Sequence, residues 1–255
     1  LMIRRPPRST LERSSAASDV YKRQILDATS GNAGIAYAMI GATLGYKVEL
    51  VMPENASEER KKRLLAHGAK LTFTNPMLGY DETIREVKRL YESAPDKYFY
   101  CDQYSNINNP LAHYETTAEE ILKQVSNITH FIAGVGTGGT ISGVGLKLKE
   151  HDPNIQIIGI NFDEWPGVEG LKPLGQGHIK PNTFNEKIVD QMIHIDVEDG
   201  YRMSKKLASS GIFAGQSSGA YVHAAQIIAK DLSKGKIVTV INDIGERYFS
   251  TGLWD

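Results

Sequence analysis

The chain has 255 residues, a net charge of −1, 41% hydrophobic residues and 23% charged residues. Its single cysteine excludes an internal disulfide and a cysteine-based metal cluster, and fits a reducing cytoplasm. The small net charge argues against nucleic-acid and acidic-membrane partners, and no apolar run approaches the roughly 18 residues of a membrane span. We therefore expect a globular, cytoplasmic protein with one large or two smaller domains.

The first 24 residues differ in composition from the rest of the chain. Residues 1–24 are rich in arginine and serine and show neither strand nor helix periodicity. They lack a clean amphipathic face and include the acids Glu12 and Asp19, which argues against an organellar transit peptide. Segment 3–24 resembles the conceptual translation of a sequencing adapter. We expect residues 1–24 to be an artefactual or disordered leader that replaces the natural upstream sequence.

From residue 25 onward, predicted strands and helices alternate. Short apolar runs predict strands at 25–28, 46–52, 70–74, 98–101, 130–135, 155–160, 188–195 and 237–241. Apolar residues at helical spacing predict helices at 33–44, 57–67, 81–93, 112–125, 140–150, 199–209 and 217–232. An irregular insert, rich in glycine and proline, is expected at 165–185. The alternation predicts an α/β protein with parallel sheets covered by helices on both faces, and ligands at the carboxyl ends of the strands.

The turn after the first strand has the sequence Thr-Ser-Gly-Asn-Ala-Gly at residues 29–34. Thr29 and Ser30 are favourable helix N-cap residues, and the glycines let the backbone approach a bound group closely. Because the first N–H groups of a helix lack partners within it, such a turn suits a carboxylate or a phosphate. An ordinary strand-to-helix turn has the same pattern.

A second glycine-rich turn, Gly-Val-Gly-Thr-Gly-Gly-Thr at residues 134–140, follows the fifth strand and opens a helix. Its N–H groups and threonine hydroxyls suit a phosphate. It also matches the Gly-x-Gly-x-x-Gly dinucleotide fingerprint, with Asp163 or Glu164 as the acid beyond the next strand, so an NAD-binding oxidoreductase is an alternative. That alternative leaves the turn at 29–34 without a role.

Weaker signals lie in three other segments. A polar loop follows the fourth strand at 101–110, Gly-Gln-Ser-Ser-Gly opens a helix at 215–219, and Gly-Glu-Arg-Tyr-Phe-Ser-Thr follows the last strand at 245–251. Each is also typical of surface turns or capped helices. The seven histidines lack ligand spacing, so we expect no metal site, and Cys101 is expected to be a core thiol.

In their order and spacing these motifs resemble the cysteine synthase family, pyridoxal-phosphate (PLP) enzymes of fold type II related to cystathionine β-synthase. The motifs are Thr-Ser-Gly-Asn-Ala-Gly, Asn-Asn-Pro-Leu-Ala-His-Tyr, Gly-Thr-Gly-Gly-Thr, Ser-Ser-Gly and Gly-Glu-Arg-Tyr-Phe-Ser-Thr, and the resemblance covers residues 25–255. It implies two parallel-sheet α/β domains with the active site in the cleft between them. The smaller domain, 25–125, would carry a substrate-carboxylate loop, and the larger, 126–255, the PLP phosphate loop. It also implies a homodimer of the full-length protein.

The resemblance further implies roles for individual residues. The phosphate of PLP would be bound by Gly136, Thr137, Gly138, Gly139 and Thr140. Asn32 would hydrogen-bond the ring oxygen next to the aldehyde carbon. Ser217 would face the pyridine nitrogen, where a neutral hydroxyl leaves the ring a weaker electron sink than a carboxylate does. The α-carboxylate of the substrate would be bound by Thr29, Ser30, Gly31 and Gln103.

The family reaction is a β-replacement in which sulfide displaces the leaving group of an O-activated serine, such as O-acetylserine, to give cysteine. Cystathionine β-synthase-like or serine/threonine dehydratase activity is the alternative within the same fold. In relatives the Schiff-base lysine lies a few dozen residues upstream of the Thr-Ser-Gly-Asn turn, in a Ser-x-Lys-Asp-Arg-like segment. Here Lys22 falls inside the adapter-like leader and nothing around it matches. We therefore expect this chain to lack the catalytic lysine and to be inactive.

Overall fold

The computed structural model describes residues 24–255. The expected leader, except for Gln24, and the residue Lys22 lie outside the described residues. Gln24 itself begins the first strand, one residue earlier than predicted. None of the helices among residues 24–255 combines the length and the apolar character that a membrane span needs.

The chain divides into two compact units, with the division between Asn108 and Asn109. Each unit contains one four-stranded sheet in which every strand pair is parallel. The α/β class with parallel sheets, predicted from the alternation, is therefore confirmed. The domain limits at 25–125 and 126–255 remain a prediction.

The first sheet has the strand order β3-β2-β1-β4. Its strands are β1 (Gln24–Ala28), β2 (Val48–Pro53), β3 (Lys70–Thr74) and β4 (Tyr98–Tyr100), and its helices are α1 (Asn32–Leu44), α2 (Glu58–Ala66) and α3 (Gly79–Ser93). Neighbouring residues of β1 point to opposite faces of the sheet. Ile25 packs in one apolar cluster with Leu50, whereas Leu26 packs in another with Val51 and Val87. Both faces of the sheet are thus covered, as parallel sheets require.

The second sheet has the order β7-β6-β5-β8. Its strands are β5 (His130–Gly134), β6 (Gln156–Asn161), β7 (Gln191–His194) and β8 (Ile237–Thr239). The remaining helices are α4 (Asn108–Ala112), which begins at the last residue of the first unit, and α5 (Ala118–Gln124), α6 (Gly139–His151), α7 (Val197–Ser209) and α8 (Gln216–Asp231). Short 3-10 helices cover Pro76–Leu78, Glu186–Ile188 and Gly245–Thr251. Phe131 and Ile132 pack in separate apolar clusters on opposite faces of this sheet.

One helix differs from its prediction. The pattern predicts a single helix over 112–125, but α4 and α5 are joined by a π-helical turn at His113–Thr117. Such turns are rare and occur often at functional sites, because the wider turn redirects a side chain. Here the turn places His113 against the start of α6.

Candidate active site

The turn after β1 is organised around the side chain of Thr29. Its Oγ1 accepts the N–H of Gly31 at 3.1 Å and the N–H of Gly34 at 3.0 Å, and the side chain is buried. A Cβ on Gly34 would lie 2.5 Å from Thr29 Cγ2, so this position requires glycine. The Thr29 hydroxyl therefore holds the turn from inside, while Asn32 begins α1 at an exposed position.

Gln103, to which the resemblance assigns the same carboxylate, lies beside this turn. It follows β4, the strand that pairs with β1. Its backbone N–H donates to Asp27 Oδ2 at 3.3 Å, and its side-chain amide donates to the carbonyl oxygen of Ala28. The two loops that were predicted to bind a substrate carboxylate are thus joined by hydrogen bonds.

Sequence reasoning missed the buried carboxyl group beneath the turn. Asp27 is 0% exposed, and it accepts the N–H of Ala28 at 2.8 Å and a hydrogen bond from Tyr37. Burial raises the pKa of Asp27 to about 7, because the charged form loses its hydration. The sequence does contain a sign of this buried carboxyl group, because Asp27 is a single acid within the short apolar run that predicts the first strand. Burial, followed by the charge of Asp27, also raises the pKa of the Cys101 thiol, which agrees with its interpretation as a core residue.

Thr29→Val is expected to lower the free energy of unfolding by about 2 to 4 kcal/mol. Valine keeps the shape of threonine, but it leaves two buried N–H groups without their acceptor, at about 1–2 kcal/mol each. Thr29→Ser keeps the oxygen and is the control. Urea unfolding measures both variants. Equal stability of the two variants would contradict the role given to the hydroxyl.

The second glycine-rich turn joins β5 to α6. Gly138 has a φ of 83°, in the left-handed region, and a Cβ there would lie 2.5 Å from Phe184 Cβ. Thr137 Oγ1 accepts the N–H of Gly139 at 3.2 Å and the side-chain amide of Asn109 at 2.9 Å. A Cβ on Gly139 would overlap Asn109 Oδ1. Glycine is therefore needed at both positions for the turn to keep this shape.

The residues of this turn fit a phosphate. Gly136, Thr137 and Thr140 are partly exposed, whereas Gly138 and Gly139 are buried. The first N–H groups of α6 have no partners within the helix, and the helix dipole makes this end positive. The first turn of α6 contains no acidic residue that would repel an anion. Donors, partial exposure and the absence of a repelling charge thus coincide.

Ser217 lies in a hydrogen-bonded group that reaches the same turn. It is the second residue of α8 and is buried, and it hydrogen-bonds Tyr221. Tyr221 also bonds the backbone of Gly134, where β5 ends, and the amide of Asn242 lies 3.0 Å from the Tyr221 hydroxyl. Burial raises the pKa of Tyr221 to about 12, so its hydroxyl keeps its proton. The structure therefore brings Ser217 to the edge of the second sheet that carries the glycine-rich turn at 134–140.

Further residues around this turn received no role in the sequence analysis. Thr183 Oγ1 donates to the carbonyl oxygen of Thr137 at 2.7 Å. The backbone N–H of Lys172 donates to Val135 at 2.9 Å, and its buried Nζ donates to Ile179 at 2.6 Å. The irregular insert thus packs along the turn. Asn109 and His113, by contrast, belong to a motif that the sequence analysis identified.

No group of three or more His, Cys, Asp and Glu residues within 24–255 is arranged to hold a metal ion.

Residues 7–243 match the model of the family described as pyridoxal-phosphate dependent enzyme. The chain belongs to this family. The PLP cofactor and fold type II follow, and the NAD-binding interpretation of the turn at 134–140 is wrong.

Individual relatives place the chain more narrowly. The cysteine synthase of Aquifex aeolicus is 49% identical over 238 residues, which cover 90% of this chain and 72% of that protein. Cysteine synthase B of Campylobacter jejuni is 40% identical over 238 residues, covering 90% and 79%. The solved O-acetylserine-dependent cystathionine β-synthase of Helicobacter pylori has a TM-score of 0.84 and 34% identity, covering 92% and 79%. The chain is therefore a cysteine synthase-like PLP enzyme, as the motifs indicated.

Proposed function

We propose that the reaction of this enzyme is the β-replacement of O-acetylserine by sulfide to give cysteine, a transferase reaction of amino-acid biosynthesis. The observation that carries the proposal is the 49% identity to a cysteine synthase over 90% of the chain. A homodimer of the full-length protein and a cytoplasmic location are proposed from the family resemblance alone.

The turn at 134–140 would hold the phosphate of PLP. PLP supplies an electron sink for the bonds that break and form at the amino-acid substrate. The backbone N–H groups of Gly136 and Gly138 and the hydroxyls of Thr137 and Thr140 would donate to the phosphate oxygens. Thr137 Oγ1 already accepts two hydrogen bonds, so its hydroxyl would take part in phosphate binding as a donor. Gly139 contributes through the shape of the turn, since its N–H binds Thr137.

The turn at 29–34 would bind the α-carboxylate. Ser30 and the side chain of Gln103 would contact the carboxylate. Gly31, whose N–H donates to Thr29 Oγ1, would let the carboxylate approach the backbone closely, and Thr29 would hold the turn in shape from inside. Asn32 would reach the ring oxygen of PLP, and Ser217 its pyridine nitrogen. A neutral serine at that nitrogen favours loss of a β-leaving group over reactions that need a stronger electron sink.

We further propose that the 255-residue chain has no activity, because its sequence contains no Ser-x-Lys-Asp-Arg-like segment to supply the Schiff-base lysine. The purified chain is incubated with PLP and then divided into two samples. One sample is dialysed, which shows whether PLP is retained reversibly, and the other is reduced with borohydride and examined by mass spectrometry for a lysine adduct. Cysteine formation is measured with O-acetylserine and sulfide. We expect reversible PLP retention, no lysine adduct and no cysteine. Thr140→Val should retain less PLP.

Each part of the proposal has its own contradicting result. A lysine adduct together with cysteine formation would overturn the inactivity, and Lys22→Gln would then show whether Lys22 carries the adduct. Failure to retain PLP would count against the phosphate site. The Helicobacter pylori structure favours cystathionine β-synthase-like activity as a second candidate. If the chain proves active, homocysteine in place of sulfide tests that candidate, with cystathionine as the product.

A further inference from the structure

His113 connects two threonine hydroxyls at the start of α6. Its Nδ1 lies 3.0 Å from Thr117 Oγ1, and its Nε2 lies 3.1 Å from Thr140 Oγ1. Thr117 closes the π-helical turn that His113 begins, whereas Thr140 is the second residue of α6 and is partly exposed. The three side chains therefore form a hydrogen-bonded chain that ends in the turn at 134–140.

The backbone fixes the distances between the three hydrogen-bonded side chains. Gly143, one helical turn after Thr140, packs against the π-helical turn so closely that a Cβ would overlap the carbonyl oxygen of Pro110 and lie 2.9 Å from His113 Cβ. The close approach of the two helices keeps the imidazole next to the hydroxyl. The distance between the imidazole and the hydroxyl is therefore set by backbone packing and not by a flexible side chain.

The ring is uncharged near neutral pH, since burial lowers the pKa of His113 to about 4. A neutral imidazole has one N–H donor and one acceptor, so two tautomers are available. With the proton on Nδ1, Nε2 accepts the proton of Thr140, and the hydroxyl presents only lone pairs to its surroundings. With the proton on Nε2, Thr117 donates to Nδ1 and Nε2 donates to Thr140, whose own proton is then available to another acceptor.

We propose that His113 is a positioning residue for the phosphate site: it holds the Nε2-protonated tautomer and thereby directs the hydroxyl proton of Thr140 toward the bound phosphate. A phosphate dianion only accepts hydrogen bonds, so it favours this tautomer over the other. Each bond in the chain also polarises the next and strengthens it. The inference rests on the proposed phosphate site.

The tautomer is measured by NMR on the full chain with ¹⁵N-labelled histidine, with and without inorganic phosphate. His113→Leu removes both ring contacts, whereas His113→Gln retains an amide donor. Affinities for PLP and for pyridoxal, which lacks the phosphate, are compared by equilibrium dialysis. We expect Nε2 protonation with phosphate bound, about tenfold weaker PLP binding in His113→Leu with pyridoxal binding unchanged, and substantial recovery in His113→Gln.

His130→Leu is the matched control. His130 also contacts a threonine hydroxyl, with its Nδ1 2.8 Å from Thr129 Oγ1, but it begins β5 at the end away from the turn. Its loss should leave PLP affinity unchanged. Nδ1 protonation with phosphate bound, or equal weakening of PLP and pyridoxal binding in His113→Leu, would overturn the proposal. If His113→Leu does not fold, the His113 tautomer measured in the unmodified chain tests the proposal on its own. Failure of the unmodified chain to bind phosphate and PLP would refute the phosphate site itself.

Discussion

Gly143→Ala is expected to lower the free energy of unfolding by about 3 kcal/mol, although alanine is the better helix former by about 1 kcal/mol. The added Cβ would overlap the carbonyl oxygen of Pro110 and lie 2.9 Å from the backbone nitrogen of Tyr114. Both obstacles are backbone atoms, so the two helices must separate. Overpacking of this kind costs about 1–3 kcal/mol, and more where the backbone has to move.

Gly145→Ala, in the same helix, is the matched control. A Cβ there would lie 2.9 Å from Ile188 Cδ1, the end of a flexible side chain, and 3.2 Å from the Ile157 Cγ2 methyl, which has to give by a few tenths of an ångström. The gain in helix propensity then offsets most of the crowding, and we expect a change within about 1 kcal/mol. Urea unfolding of both variants measures the difference. A Gly143→Ala variant as stable as Gly145→Ala would show that the close contact between the helices is not needed.

Asp27→Asn is expected to stabilise the protein above pH 7, by up to about 4 kcal/mol. The folded pKa of Asp27 is raised to about 7, compared with about 3.9 in an unfolded chain. Between these values the folded state binds more protons than the unfolded state, so stability falls as pH rises from about 4 to 7 and stays low above pH 7. Asparagine remains neutral and is free of this penalty, but its NH2 group cannot accept a hydrogen bond that a carboxyl oxygen of Asp27 accepts, which costs about 1–3 kcal/mol and makes about 4 kcal/mol the upper limit of the gain.

His113 contributes the opposite slope. Its folded pKa of about 4 lies below the unfolded value of about 6.5, so stability rises with pH over that range. The two slopes oppose each other between about pH 4 and 6.5, and Asp27→Asn should expose the rising slope of His113. Urea unfolding at several pH values measures this, with the exposed Asp96→Asn as the control for loss of a surface carboxylate. An unchanged pH profile in Asp27→Asn would contradict the raised pKa.

The sequence was sufficient for the fold because the fold depends on repeated local patterns. The apolar runs that become β1, β3 and β5 are short and bounded by turn residues, and β3 occupies its predicted limits, 70–74. The glycine-rich turns at 29–34 and 134–140 could be found because special backbone shapes restrict residue choice. The family resemblance further predicted the identity of the cofactor, PLP.

What the sequence could not supply are contacts between distant residues. His113 and Thr140 are 27 residues apart, and their contact depends on how α6 packs on the π-helical turn. Asp27 is visible as an acid in an apolar strand, but its partner Gln103 lies 76 residues away. The sequence favours Thr29 as an N-cap residue, whereas only the structure shows that its hydroxyl binds two N–H groups of its own turn.

The inward-facing hydroxyl of Thr29 also affects binding energetics. Ordering one backbone residue costs about 1–2 kcal/mol of conformational entropy. The N–H groups of Gly31 and Gly34 are already held by Thr29 Oγ1, so the turn loses this conformational entropy when the protein folds and not when a ligand binds. The turn is preorganised, so the carboxylate that we propose to bind there would retain more of its interaction energy as affinity.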